Sequence, residues 1–253
     1  MSKEKIIIKL PEQIEGIKKA CKIAAATLDM IGNYIKPGIS TEELDHICNA
    51  FILKNEAKSA CMGYNGYPKY TCISLNDTIC HGIPSKNEIL KSGDILNVDV
   101  TVIKNGFFGD TGRMFKVGEI SDLAEKLIAI TKKALEIGIA QVRPGNYTGN
   151  IGYELANFVE SKGFSVVREY VGHGVGVKFH EDPIIYHKAP RNSGVIIKPG
   201  MTFTIEPMIN VGSHKTKILQ DNWTVKTADG SLSAQFEETL LVTEKGCEIL
   251  TKN

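Results

Sequence analysis

The chain has 253 residues, a formal net charge of +1, and 42% hydrophobic against 23% charged residues. That length is enough for one domain with a sizeable core, and no apolar run reaches membrane-spanning length, so no membrane partner is expected. The near-neutral balance excludes a strong electrostatic footprint for nucleic acid.

The N-terminal run MSKEKIIIKL is too short and too charged for a signal peptide. Six cysteines (21, 48, 61, 72, 80 and 247) form no zinc-type CxxC pair, so free thiols in a reducing cytoplasm are the simplest expectation. Residues 12–35 carry apolar side chains at helical spacing (Ile14, Ile17, Ala20, Cys21, Ala24, Ala25, Leu28, Ile31), and Lys36-Pro37-Gly38 ends that helix. Ser40-Thr41-Glu42-Glu43 has the capping-box form, with Ile39 and Leu44 placed for a hydrophobic staple, and a second helix runs to about Asn55. Residues 57–80 read as loop and strand with scattered aromatics.

The stretch 95–116 is the centre of the chain. Two β-branched, apolar runs flank Lys104-Asn105-Gly106, and Asn-Gly is the dipeptide that a type I′ hairpin turn demands. With Asn105 and Gly106 as the loop, Asp99 faces Gly112 and Asp110 faces Thr101. The two aspartates then share one face as diagonal neighbours, with Cα atoms about 7–8 Å apart. Such a pair suits divalent cations better than a dry core. The competing readings are that both carboxylates face water, or that a bulge at Gly109 breaks the count. Helices follow at 121–141 and from about Thr148 to Lys162-Gly163, separated by Arg143-Pro144-Gly145. Strands fill 165–171, 201–211 and 234–243.

The order of two helices then strands occurs twice, and short motifs recur 107 residues later. Pro37-Gly38-x-x-Thr41 returns as Pro144-Gly145-x-x-Thr148. Ile89-Leu90-Lys91-x-Gly93, leading to Asp99, returns as Ile196-Ile197-Lys198-x-Gly200, leading to Glu206. This predicts a single catalytic domain, residues 1–253, with an N-terminal extension (1–11) and pseudo-symmetric halves at about 12–117 and 118–253. Asp99 and Glu206 would then be equivalent positions.

Further chemistry-bearing residues stand in distinctive settings. His81 precedes Gly82 and lies near Pro84. His173 is flanked by Gly172, Gly174 and Gly176, which lets a ligand come close. A turn must separate His173 from His180, because their odd spacing puts them on opposite faces of a straight strand. Glu206 and Glu237 sit in apolar strand contexts. A lone histidine is more often structural than ligating, and His46, His187 and His214 are assigned that role. Asp99, Asp110, His173, Glu206 and Glu237 together form an oxygen-rich set with one imidazole. That set favours two divalent metal ions such as manganese, iron or cobalt, and zinc also satisfies it. Without metal, four buried carboxylates would raise one another's pKa values.

Gly63-Tyr64-Asn65-Gly66-Tyr67-Pro68, Cys80-His81-Gly82-Ile83-Pro84, Asn97-Val98-Asp99-Val100-Thr101, Gly109-Asp110-Thr111, Gly172-His173-Gly174-Val175-Gly176, Phe179-His180-Glu181-Asp182-Pro183, Phe203-Thr204-Ile205-Glu206-Pro207 and Ser233-Ala234-Gln235-Phe236-Glu237 jointly resemble the type I methionine aminopeptidases of the creatinase/aminopeptidase family. The resemblance implies an α+β "pita-bread" fold with pseudo-two-fold symmetry, its curved antiparallel sheet covered by two pairs of helices. It implies that Asp110 and Glu237 bridge two metals, that Asp99 chelates one, and that His173 and Glu206 complete the other. Glu206 would pass a proton from water to the leaving amine, His180 would hydrogen-bond the carbonyl, and His81 would contact the scissile amide or leaving group. Cys61, Tyr64, Tyr67, Cys72, Phe179 and Trp223 would form the methionine pocket. The implied substrates are nascent polypeptide N-termini with a small second residue, met by a monomer with the ribosome as partner. Phe108 and Glu238 replace histidines common in that family. The alternatives are an X-Pro-type peptidase of the same fold and a non-catalytic peptide-binding member.

Overall fold

A computed structural model describes residues 6–252; residues 1–5 of the expected extension, and Asn253, lie outside the described residues. The described residues form four α-helices: α1 (Pro11–Ile31), α2 (Thr41–Lys54), α3 (Asp122–Ala140) and α4 (Thr148–Ser161). α2 starts where its capping box predicts. Ser40 Oγ accepts from the Glu43 N–H at 3.2 Å, and Glu43 Oε2 accepts from the Ser40 N–H at 2.9 Å. α1 stops at Ile31, short of the expected residue 35, because Gly32 and Asn33 are poor helix residues and form a turn there.

The hairpin forms as the turn chemistry dictates. Asn105 and Gly106 have φ of 51° and 83°, and strands Ile95–Lys104 and Phe107–Lys116 pair from Ile95↔Lys116 to Lys104↔Phe107. Asp99↔Gly112 and Thr101↔Asp110 are among the rungs, and Val102↔Gly109 pairs without a bulge. Gly109 has a different purpose: a Cβ there would collide with the backbone of Ala20 and Cys21, so it lets α1 lie directly on the hairpin.

Other expected strands are shorter than the apolar runs suggest. The 165–171 run is a strand only at Ser165–Val166. The 201–211 run divides into Thr202–Ile205 and Met208–Asn210, because Pro207 has no N–H to donate to a ladder. The 234–243 run divides into Ser233–Gln235 and Glu238–Val242. In both cases the pieces join different ladders. Thr202–Ile205 pairs with Glu238–Val242 and touches Gly172–Gly174, whereas Met208–Asn210 pairs with Ser233–Gln235 and Ser165–Val166. The sheet thus bends at Glu206 and again at Glu237.

The 107-residue repeat extends to the backbone. The bridges Ser40↔Ile89 and Tyr147↔Ile196 correspond. So do the hydrogen bonds from Gly38 N–H to the Leu90 carbonyl (2.8 Å) and from Gly145 N–H to the Ile197 carbonyl (3.0 Å). Two apolar layers lie behind the strands. Ala24, Leu28, Leu44 and Cys48 of α1 and α2 pack on Val98, Val100 and Val102. Leu127, Leu155 and Val159 of α3 and α4 pack on Phe203 and Ile205. Because side chains alternate along a strand, burial of the even-numbered valines turns Asp99 and Thr101 away from the helices.

Candidate metal centre

The face turned away from the helices encloses a cavity of about 390 Å³. All five candidate ligands, Asp99, Asp110, His173, Glu206 and Glu237, line it, and so do His81 and His180. One ligand atom from each of Asp110, His173 and Glu237 lies within 4.8 Å of the others. Glu206 Oε1 lies 3.6 Å from His173 Nε2, and Asp110 Oδ2 lies 3.7 Å from it. Asp99 is half-buried and opens onto the same space.

The electrostatics follow from crowding. Burial is the main reason Asp110 rises to about 7 and Glu206 to about 8. Glu237 and Asp99 are pushed well above the usual carboxylate range, first by burial and then by the charge of Asp110. Asp110 and Glu206 are also oriented. Thr101 Oγ1 donates to Asp110 Oδ1 at 2.8 Å, and Thr204 Oγ1 donates to Glu206 Oε1 at 2.7 Å. Gln235 Nε2 donates to Glu206 Oε2 at 3.3 Å, and the Glu206 N–H donates to His187 Nε2 at 3.1 Å.

Burial pushes His173 down to about 3, so its ring is neutral. Nδ1 lies 2.9 Å from the Gly174 carbonyl, an oxygen that can only accept, so Nδ1 carries the proton and Nε2 presents a lone pair. That lone pair faces two carboxyl oxygens at 3.6 and 3.7 Å, too far for hydrogen bonds, and above pH 8, where both acids are ionised, the three form a repulsive arrangement of acceptors. A cation among them removes the conflict. The donor set therefore fits divalent metal: carboxylate oxygens plus one imidazole locked in tautomer by a backbone carbonyl.

The predicted pocket residues line the same cavity beside the acids. Cys61, Tyr67 and Cys72 are buried together, with Phe179 and Trp223 packed on them. Tyr64 packs on Phe179 with ring centroids 4.5 Å apart, and its hydroxyl lies 2.8 Å from His180 Nδ1. The rings of His173 and His180 approach to 4.2 Å across the intervening turn. His81 holds a φ of +56°, a conformation rare outside glycine, and burial lowers its pKa to about 4.

Sequence reasoning missed the supports. Thr101 and Thr204 were within reach, since each sits two residues from an acid on the same strand face. Tyr170 and Met208 line the cavity, and His187 braces Glu206, without any sequence signal. Phe108 and Glu238 each have a partner of their own. Phe108 stacks on Phe179 at 6.0 Å and 15°. Glu238 accepts a hydrogen bond from the Thr251 hydroxyl, and it sits next to Glu237 in the chain.

The profile of metallopeptidase family M24 matches residues 15–244. The chain belongs to that family. Within M24, it is 54% identical over 247 residues to methionine aminopeptidase of Escherichia coli (strain K12), covering 97% of this chain and 94% of that one. It superimposes on the crystal structure of methionine aminopeptidase from Rickettsia prowazekii with a TM-score of 0.96 and 44% identity, covering 98% of this chain and 100% of that one. For the Thermotoga maritima methionine aminopeptidase the TM-score is 0.97 and the identity 40%, with 98% and 100% covered. The α+β pita-bread architecture expected from the sequence is the one observed, and this M24 metallopeptidase is a hydrolase.

Proposed function

We propose that this M24 peptidase removes the N-terminal methionine from nascent proteins and peptides whose second residue is small. The observation that carries the reading is the bare Nε2 of His173 facing Asp110 and Glu206, beside a pocket walled by thiols and aromatic rings. Asp99, Asp110, His173, Glu206 and Glu237 would hold two divalent ions (cobalt, manganese, iron or zinc), with Asp110 and Glu237 shared between them. Such ions supply Lewis acidity to a carbonyl oxygen and make water acidic enough to attack near neutral pH.

The residues divide the remaining work. Glu206 accepts the proton of the attacking water and returns it to the leaving amine, oriented for this by Thr204 and Gln235. With the Tyr64 hydroxyl donating to Nδ1, His180 carries its proton on Nε2 and can donate to the carbonyl oxygen as charge develops. His81, neutral near pH 7, contacts the scissile amide or leaving group. Cys61, Tyr64, Tyr67, Cys72, Phe179 and Trp223 receive the methionine side chain. Soft apolar walls suit an unbranched thioether, and each sulfur–aromatic contact adds about 0.3–1.5 kcal/mol. The chain works as one catalytic domain of two halves, about 12–117 and 118–253, which the repeated backbone hydrogen bonds support. Six free cysteines support a cytoplasmic setting, where the substrates are chains leaving the ribosome.

Turnover of Met-Ala-Ser, Met-Lys-Ser and an X-Pro peptide with added manganese or cobalt tests the reading. The expected result is metal-dependent cleavage of Met-Ala-Ser and almost none of Met-Lys-Ser. Preference for X-Pro would favour the X-Pro-type peptidase, and binding without cleavage under every metal would favour a peptide-binding member.

A further inference from the structure

Loop 175–180 brings Phe179 and His180 to the cavity, between strands Gly172–Gly174 and Glu181–Ile185. It belongs to no strand, so its shape depends on what is fastened to it. Glu181 Oε1 accepts from the N–H groups of Val177 (2.7 Å) and Lys178 (2.8 Å), which closes the loop locally. Phe108 N–H donates to the Gly176 carbonyl at 2.9 Å, which fastens it to the hairpin. The third fastening comes from the other end of the chain. Lys9 Nζ donates to Glu181 Oε2, and the two side chains are 0% and 1% exposed. Lys9 is itself fixed by its N–H to the Gly200 carbonyl at 2.8 Å, two residues before α1 begins.

Two charges buried this deeply are expensive to desolvate, and closing the loop does not require them. A glutamine at 181 could accept both amides. What the pair adds is a tie between residue 9 and the segment next to His180. We propose that Lys9, acting through Glu181, is a positioning residue that holds His180 and Phe179 in their places against the carboxylate cluster. Without Lys9, Glu181 Oε2 is a buried charge that has lost the cation it pairs with. The least costly response is for the loop to open until that oxygen meets water, which displaces the adjacent His180. The inference rests on the role given above to His180 in stabilising the carbonyl.

The test is a double-mutant cycle on kcat and KM for Met-Ala-Ser at saturating manganese, with Mn²⁺ affinity measured alongside. Lys9→Met is expected to lower kcat/KM about tenfold or more, as small displacements of a catalytic donor do. Manganese affinity should stay within about twofold, and in a His180→Ala background the loss should shrink to within about twofold, the tolerance of additivity. Lys9→Met combined with Glu181→Gln, which removes the unpaired charge and keeps the amide acceptor but leaves the tie broken, should recover only part of the loss, and full recovery would overturn the tie. If Lys9→Met does not fold, Glu181→Gln in the same two backgrounds breaks the tie from its other end, with the same expectation. Equal fold-losses in both backgrounds, or no loss at all, would overturn the tie. A His180→Ala enzyme with wild-type turnover would instead overturn the role of His180 on which the tie rests.

Discussion

In the hairpin, strands Ile95–Lys104 and Phe107–Lys116 run side by side without interruption, and Asp99 and Asp110 each sit in mid-ladder. In region 202–242, the strands stop where the acids begin: Glu206 follows Thr202–Ile205, and Glu237 precedes Glu238–Val242. The hairpin aims its carboxylates with backbone alone, and a single threonine completes the work. The broken region must borrow. Glu206 leans on Thr204, Gln235 and His187, and Glu237 is bridged to Gly112 of the hairpin by N–H to carbonyl bonds of 2.9 and 3.3 Å. Asp99 and Glu206 stand 107 residues apart at matching points of a repeat, yet one is carried by a ladder and the other by brackets. A site of this kind needs one rigid half against which the bent half is set.

The largest effect is expected where the two regions meet. His173 Nε2 faces one acid from each, Asp110 and Glu206, so His173→Ala should abolish activity and weaken metal binding; retention of most of the rate with metal present would break the comparison. His180→Ala removes a donor that neither region supplies. Turnover should fall about 10²–10³-fold with metal affinity kept, as for other oxyanion donors. Loss of metal from that variant would make His180 a ligand.

The comparison is sharpened by two matched threonines. Thr204→Val should weaken metal affinity or activity by about 10–100-fold, as loss of a ligand-orienting bond does, and Thr101→Val should cost less because the ladder still aims Asp110. The reverse order, read by calorimetric titration with Mn²⁺, would show that the ladder does not matter. A further effect is expected on pH. In the metal-free protein Asp110 and Glu206 titrate as members of one cluster at about 7 and about 8, so below pH 8 a cation must displace protons. Affinity should therefore weaken as pH falls from 8 to 6.5, about tenfold per unit for each proton displaced. Affinity independent of pH over that range would mean the acids are already ionised.

The hairpin was legible because Asn105-Gly106 permits a turn that few other pairs allow, and the turn alone sets which residues face Asp99 and Asp110. The capping box at Ser40 fixed the start of α2 for the same reason: the signal is local. The break at Glu206 could be suspected from Pro207. The break at Glu237 could not, since it is made by pairing to Gly112, far away in the chain. Lys9 was invisible as well. It reads as one of several charges in the N-terminal run, and only the fold brings it to Glu181, 172 residues on.

The most direct test is anomalous diffraction from crystals grown with excess manganese. The account predicts two peaks about 3.5–4 Å apart, both touching Asp110 and Glu237, with Asp99 at one and His173 and Glu206 at the other. Manganese bound elsewhere, or an empty cavity at saturating metal, would contradict it.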